Sequence, residues 1–251
     1  MNSINWARIM AQVVYYVAAA AALGAAGRGI GFAVPTGNFG NVYAAHVARR
    51  MGLPIRELII GTNRNDILAR FFNAGRMTIG AVEPSLSPSM DIQVSSNFER
   101  LYFELCGRDG AATAAAFRAF RDSGTLPASP EAWHAARTLF AAHRVDDDET
   151  QATIAETYSR TGELLDPHSA VAVAAAVAAR RDPALPMVAL ASAHPAKFPD
   201  AVERAVGIRP APPPCLQQAM TRPERIEILP NQLAAVERFV ADRARATQEV
   251  P

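Results

Sequence analysis

The chain has 251 residues, half of them hydrophobic, with 25 basic and 24 acidic side chains. That length and apolar content suffice for one large core or two modest ones, as in a globular chain rather than a disordered one. The net charge of +1 is spread along the sequence without a basic block or a basic stripe interleaved with aromatics, so nothing supports a nucleic-acid partner.

The first predicted element is a helix from about Ile4 to Leu23, capped by Asn2 or Ser3. Ile4, Ala7, Ile9, Met10, Val13, Val14 and Val17 reach so far around it that it is expected to be buried almost whole. Val13 to Ala26 is the longest apolar stretch, but Arg8, Gln12 and Arg28 bracket it too closely for a membrane span of about 20 residues. The opening five residues lack the basic region of a secretory signal. Proteins seldom begin on a buried helix, so Met1 is expected to be no native start.

Phe32, Ala33 and Val34, between Gly31 and Pro35, read as a strand buried on both faces of a parallel sheet. Thr36 to Asn41 follow as a tight loop, then a helix to Met51 ended by Gly52 and Pro54, then a second buried strand at Leu58-Ile59-Ile60. A strand, a glycine loop and a helix in succession turn backbone N–H groups and the positive helix end toward one spot, which suits a phosphate. Glycines at 37 and 40 are expected to let the backbone approach an anion and to take up positive φ. Neither a P-loop lysine nor the third glycine of a dinucleotide fingerprint is present, and a tight turn without a ligand reads the same way.

Thr62 to Asp66 form a polar turn before a short helix over Ile67 to Phe72, and Gly75 to Pro88 read as loop. Ser87 or Ser89 has the form of a helix cap. Three helices without strands are expected over Phe98–Cys106, Ala111–Arg121 and Glu131–Ala142. The carboxylates Asp146 to Glu149 lack the ligand spacing of a calcium loop and suit the first turn of a helix that ends at Gly162. His168 precedes a small-residue helix from Ala170 to Arg181, where a local hydrogen bond and an approach to a site are both open readings.

Met187 to Ala191 read as a third buried strand, which places Ser192 outside its carboxyl end, where ligands of open α/β sheets sit. Phe198 to Val206 is the last sheet-packing helix; the proline-rich Ile208 to Pro230 reads as an extended connection, and Asn231 or Gln232 opens a final helix to about Thr247. Cys106 and Cys215, far apart and in unlike contexts, fit a reducing cytoplasm better than a disulfide framework. Lys197 is the one lysine in the chain.

Pro35-Thr36-Gly37-Asn38-Phe39-Gly40-Asn41, Met51 to Ile55 and Thr62 to Asp66 resemble the threonine synthase family of pyridoxal-phosphate (PLP) enzymes. So do Asn2 to Arg8, Ser87 to Ile92, the Asp-Pro-His stretch ending at His168, and Ala193 to Phe198, all in the family's order. The resemblance implies an α/β fold, a mostly parallel sheet with helices on both faces as in tryptophan-synthase-like enzymes. Residues 1–96 and 145–209 would form the PLP-binding α/β domain, 97–144 a helical insertion, and 210–251 a connection and C-terminal helix. It implies conversion of O-phospho-L-homoserine and water to L-threonine and phosphate, with Gly37, Asn38, Phe39, Gly40 and Asn41 around the cofactor phosphate and Ser192 on the pyridine nitrogen. Ser192 stands where the family usually has threonine, and a neutral hydroxyl leaves the ring a milder electron sink than a carboxylate would. Asn2, Ser3, Asn5, His194 and Lys197 are candidate substrate contacts, with a structural helix start as the other reading of His194 and Lys197. The Schiff-base lysine belongs to an N-terminal half that these residues do not include, so no catalytic residue, no metal and no membrane partner is expected here. Other readings are a non-catalytic PLP- or phosphate-binding half that pairs with a separate N-terminal half, and a related lyase acting on another hydroxyamino-acid derivative.

Overall fold

The computed structural model describes residues 5–244, apart from the side chains of residues 215 and 218–220. Two compact units divide it, Met1–Ala211 and Pro212–Pro251.

A four-stranded parallel sheet, in the order β5-β2-β1-β6, organises the first unit. Its members are β1 (Ile30–Pro35), β2 (Ile55–Thr62), β5 (Phe140–Arg144) and β6 (Met187–Ala189). A two-stranded antiparallel ribbon joins β3 (Arg76–Thr78) to β4 (Thr125–Pro127). Central β1 is buried at all six positions, as its unbroken apolar run requires. Alternate side chains divide between the two faces. Phe32, Val34, Leu58 and Ile60 enter the main core, while Ala33 and Ile59 pack against Ala175 and Ala176. Those alanines belong to α8 (Pro167–Ala179), whose small side chains let it lie close; a β carbon at Gly61 would stand 2.9 Å from the Val171 carbonyl oxygen. On the other face lie α1 (Trp6–Ala22) and α2 (Gly40–Arg50). The sheet is therefore wholly parallel and covered by helices on both sides, as the resemblance implied.

Several expectations change. Asn5 caps α1 by accepting from the Ala7 N–H at 2.9 Å, while Asn2 and Ser3 lie outside the described residues. Only Ile9, Val13, Tyr16 and Ala20 of α1 are buried, and Met10, Val14 and Val17 are exposed, so the helix is covered on one face rather than all round. The stretch read as helices without strands holds α4 (Phe98–Leu105), α5 (Gly110–Ser123) and α6 (Pro130–Leu139), but also β4 and β5. Helix α6 stops at Leu139 because Phe140 to Arg144 pair with β2 from Leu58 to Thr62. Strand β6 is short and only half-buried, an edge strand rather than a third buried one. Ser87 precedes a single 3₁₀ turn, Pro88–Met90, without a side-chain cap bond.

The remaining helices of the first unit are α3 (Ile67–Ala74), α7 (Asp147–Thr161) and α9 (Pro199–Val206). Asp146 caps α7 through the Glu149 N–H at 2.9 Å, and Asp147 pairs with Arg64 at 2.6 Å, so these carboxylates serve the helix start. In the second unit the connection is not extended throughout, because α10 (Pro214–Thr221) forms within it; α11 (Leu233–Arg243) follows Gln232. Among the described residues no helix is long and apolar enough to cross a membrane.

Candidate functional site

Strands β1 and β6 run parallel and end at one edge, and the loops that leave them wall a cavity of about 300 Å³. Gly37 to Asn41 form one wall and Ser192, Ala193 and Lys197 another; His168 and, from α1, Arg8 and Gln12 complete it. Of the residues singled out in the sequence, the fold thus gathers the whole glycine loop, His168, Ser192 and Lys197. Ser192 and Lys197 are exposed and mark the open rim. Asn5 and His194 are used elsewhere: Asn5 caps α1, and His194 Nδ1 accepts from the Ala196 N–H at 3.1 Å.

The loop's backbone is turned in an unusual way. The positive φ expected at Gly37 and Gly40 falls instead on Phe39, at 63°. A non-glycine residue in the left-handed region is held there by its surroundings. Phe39 is 1% exposed and lies among Phe72, Phe98 and Phe140, with ring centroids 6.3, 5.3 and 6.2 Å away. Gly37 is needed for a different reason, close approach, since a β carbon there would stand 2.9 Å from the Ser89 carbonyl oxygen.

This geometry separates the loop's acceptors from its donors. The Gly37 carbonyl accepts from Ser95 Oγ at 2.8 Å, and the Asn38 carbonyl accepts from Asn97, through its backbone N–H at 3.1 Å and Nδ2 at 3.0 Å. Phe39, as N-cap of α2, offers no side-chain acceptor to the first-turn amides. Those amides carry the positive end of the helix dipole at the cavity wall, an arrangement that takes an anion. Asn41 is held from α1: Tyr15 and Tyr16 both donate to its Oδ1, and Tyr16 also to its backbone carbonyl at 3.0 Å. Burial keeps both phenols protonated, pushing Tyr15 up to about 12 and Tyr16 well above its usual value.

Behind the loop, Asp91 braces the turn that carries Ser89. Its carboxylate accepts from Asn63 Nδ2 at 2.7 Å, Asn65 Nδ2 at 3.0 Å, and Ser85 Oγ and N–H at 2.6 and 3.0 Å. At the opposite wall, Asp166 caps α8 by accepting from the His168 N–H at 2.8 Å, and it accepts as well from His168 Nδ1 at 3.2 Å and from the Ser169 hydroxyl. Burial pushes the Asp166 carboxyl up, but the hydrogen bonds from His168 and Ser169 outweigh it and hold the group below the usual carboxylate range. Gln12, Asn97 and the tyrosine pair carried no sequence signal of their own, and Arg8 entered the motifs only as the last residue of the Asn2–Arg8 stretch.

Comparison with known proteins agrees with the motifs. Residues 169–240 match the family model described as threonine synthase, C-terminal. The threonine synthase of Pseudomonas aeruginosa is 54% identical over 242 residues, covering 96% of this chain and 52% of that protein. That of Corynebacterium glutamicum is 40% identical over 249 residues, with the same shares. The crystal structure of PLP-bound threonine synthase from Brucella melitensis superposes with a TM-score of 0.91 at 51% identity, covering 98% of this chain and 53% of that one. The chain spans about half the length of the curated relatives it matches. Identity, fold and the order of motifs together mean that the chain belongs to the threonine synthase family and corresponds to the C-terminal half of its members.

Proposed function

We propose that the chain forms the cofactor-phosphate half of a threonine synthase active site, for the reaction of O-phospho-L-homoserine and water to L-threonine and phosphate. The observation that carries this is the α2 N-terminus: uncapped amides face a cavity while the Gly37 and Asn38 carbonyls are tied away from it. The site fits PLP on these grounds. When bound, PLP supplies an electron sink for carbanions next to the amino group of the substrate. Gly37, Asn38, Phe39, Gly40 and Asn41 would hold its phosphate with backbone donors, and the Ser192 hydroxyl would meet its ring nitrogen. Lys197, exposed at the rim, would attract an anionic substrate.

The lysine that anchors the cofactor is assigned to the remaining half of the relatives' length, and the uncovered face of α1 supports pairing with it. Residues 1–96 and 145–209 remain our assignment for the PLP-binding domain, with β5 (Phe140–Arg144) added from the stretch between them because it pairs with β2. Cys106 is a free thiol, which supports the cytoplasmic setting drawn from the composition.

Phosphate release from O-phospho-L-homoserine with PLP tests this reading, for the chain alone and after mixing with a separately made N-terminal half of a threonine synthase. Release only in the mixture is expected, and turnover by the chain alone would make Lys197 the anchoring amine instead. Gly40→Asp, which sets a carboxylate in the first turn of α2, is expected to abolish PLP binding with the fold intact by circular dichroism.

A further inference from the structure

The side chain of His168 is not accounted for by its structural duties. Capping of α8 is done by Asp166, and the backbone N–H of residue 168 would serve that cap with any side chain. The side chain is nevertheless only 7% exposed, wedged against Phe198 with ring centroids 4.9 Å apart. Its Nδ1 lies 3.2 Å from the Asp166 carboxylate and must donate, because a carboxylate only accepts. Its other nitrogen, Nε2, is buried and has no hydrogen-bond partner among the described residues, although the ring lines the cavity that the glycine loop faces. A buried polar atom left unpaired costs stability, so its retention beside a cavity points to a ligand.

The charges around it select the ligand's sign. Arg8 and Lys197 share the cavity wall, and the α2 amides add partial positive charge. Glu149 and Glu156 of α7 border a separate cleft on α8 with Val173 and Val177, which leaves Asp166 as the carboxylate in contact with the ring. With Nδ1 already donating to Asp166, Nε2 can donate to an anionic oxygen only when the ring carries a second proton, so a hydrogen bond from Nε2 to an anion couples protonation to binding.

We propose that His168, held by Asp166, donates from Nε2 as an imidazolium to an anionic oxygen of the ligand in this cavity. This rests on the anion-site reading of the same cavity, and the test separates the two. Sulfate serves as the probe because it does not titrate near neutral pH. Binding of sulfate to the full 251-residue chain is measured by calorimetry in two buffers of different ionisation enthalpy, alongside the His168 ring nitrogens by NMR, assigned through their loss in His168→Gln. Expected are proton uptake on binding, movement of the His168 nitrogens toward imidazolium, and binding about tenfold or more weaker in His168→Gln with uptake abolished. Loss of binding in Gly40→Asp but not in His168→Gln, with the ring unmoved in the wild type, overturns this inference and leaves the glycine-loop reading standing. The converse result retains His168 and removes the loop, and absence of sulfate binding by the wild-type chain overturns both. Pyridoxal 5′-phosphate and O-phospho-L-homoserine, titrated separately, identify whether cofactor or substrate carries the recognised oxygen, by which of them reproduces the ring response.

Discussion

Phe39 shows how a single residue reconciles folding with binding. Its left-handed backbone ends the loop and starts α2 without a side-chain cap, and its ring is fixed in the aromatic cluster with Phe72, Phe98 and Phe140. The cost of the backbone, about 1–2 kcal/mol for a residue with a β carbon, is outweighed by burial of the ring. Phe39→Ala should therefore lower stability by about 3–5 kcal/mol in urea unfolding. The motif around residues 35–41 was legible through its resemblance to the threonine synthase family, since the glycine loop by itself reads equally as a tight turn without a ligand. The position of the positive φ was not legible: two glycines flank Phe39, and only the tertiary cluster assigns the strain to the bulky residue. For His168 the sequence left a local hydrogen bond and an approach to the site both open, and the unpaired Nε2 that decides between them is a property of the assembled cavity.

Among the elements, α2 carries a pH dependence of stability through His46. His46 sits on α2 beside Tyr43 and Phe140, and its Nε2 lies 3.5 Å from the Glu104 carboxylate, long for a hydrogen bond. Burial holds the imidazole below its ordinary value, and Glu104, which also pairs with Arg50, offsets this only in part. The folded chain thus resists the proton that the unfolded chain accepts at about pH 6.5. Stability contributed by neutral His46 is full above that pH and is lost as pH falls toward the lower folded value. The thermal unfolding temperature of the wild type is expected to fall as pH drops below about 6.5, with a shallower fall in His46→Leu. Element legibility followed locality. Strands β1 and β2 and helix α2 announce themselves by apolar runs between glycine and proline. Strand β5 continues the alanine-rich pattern of α6 and becomes a strand only through its pairing with β2, a contact the local sequence does not encode.

At the scale of the molecule, the sheet is covered on both faces while the outer face of α1 is not. Met10, Val14 and Val17 recur at helical spacing on the outer side of α1 and are 56%, 66% and 44% exposed. An apolar stripe of that kind marks a surface made to be covered, and this is why an all-round apolar pattern read as burial while the structure shows one buried face. Val14→Asp with Val17→Asp should change the unfolding free energy of the chain by less than about 1 kcal/mol, as surface substitutions do. The pair should suppress association with a separately made N-terminal half in analytical ultracentrifugation; unchanged association would place the partner elsewhere.

The pairing of β1 with β6 has a kinetic consequence. These neighbours are separated by most of the first unit's sequence, with β2 and β5 lying between them in the chain. Closing so long a loop is entropically late, because distant strands gain contacts only after the intervening segments are ordered. The Gly37 wall of the cavity forms from local sequence, but its Ser192 wall arrives with β6. A refolding chain should thus regain most of its helix before it can hold an anion, and ligand capture would time the last step of folding.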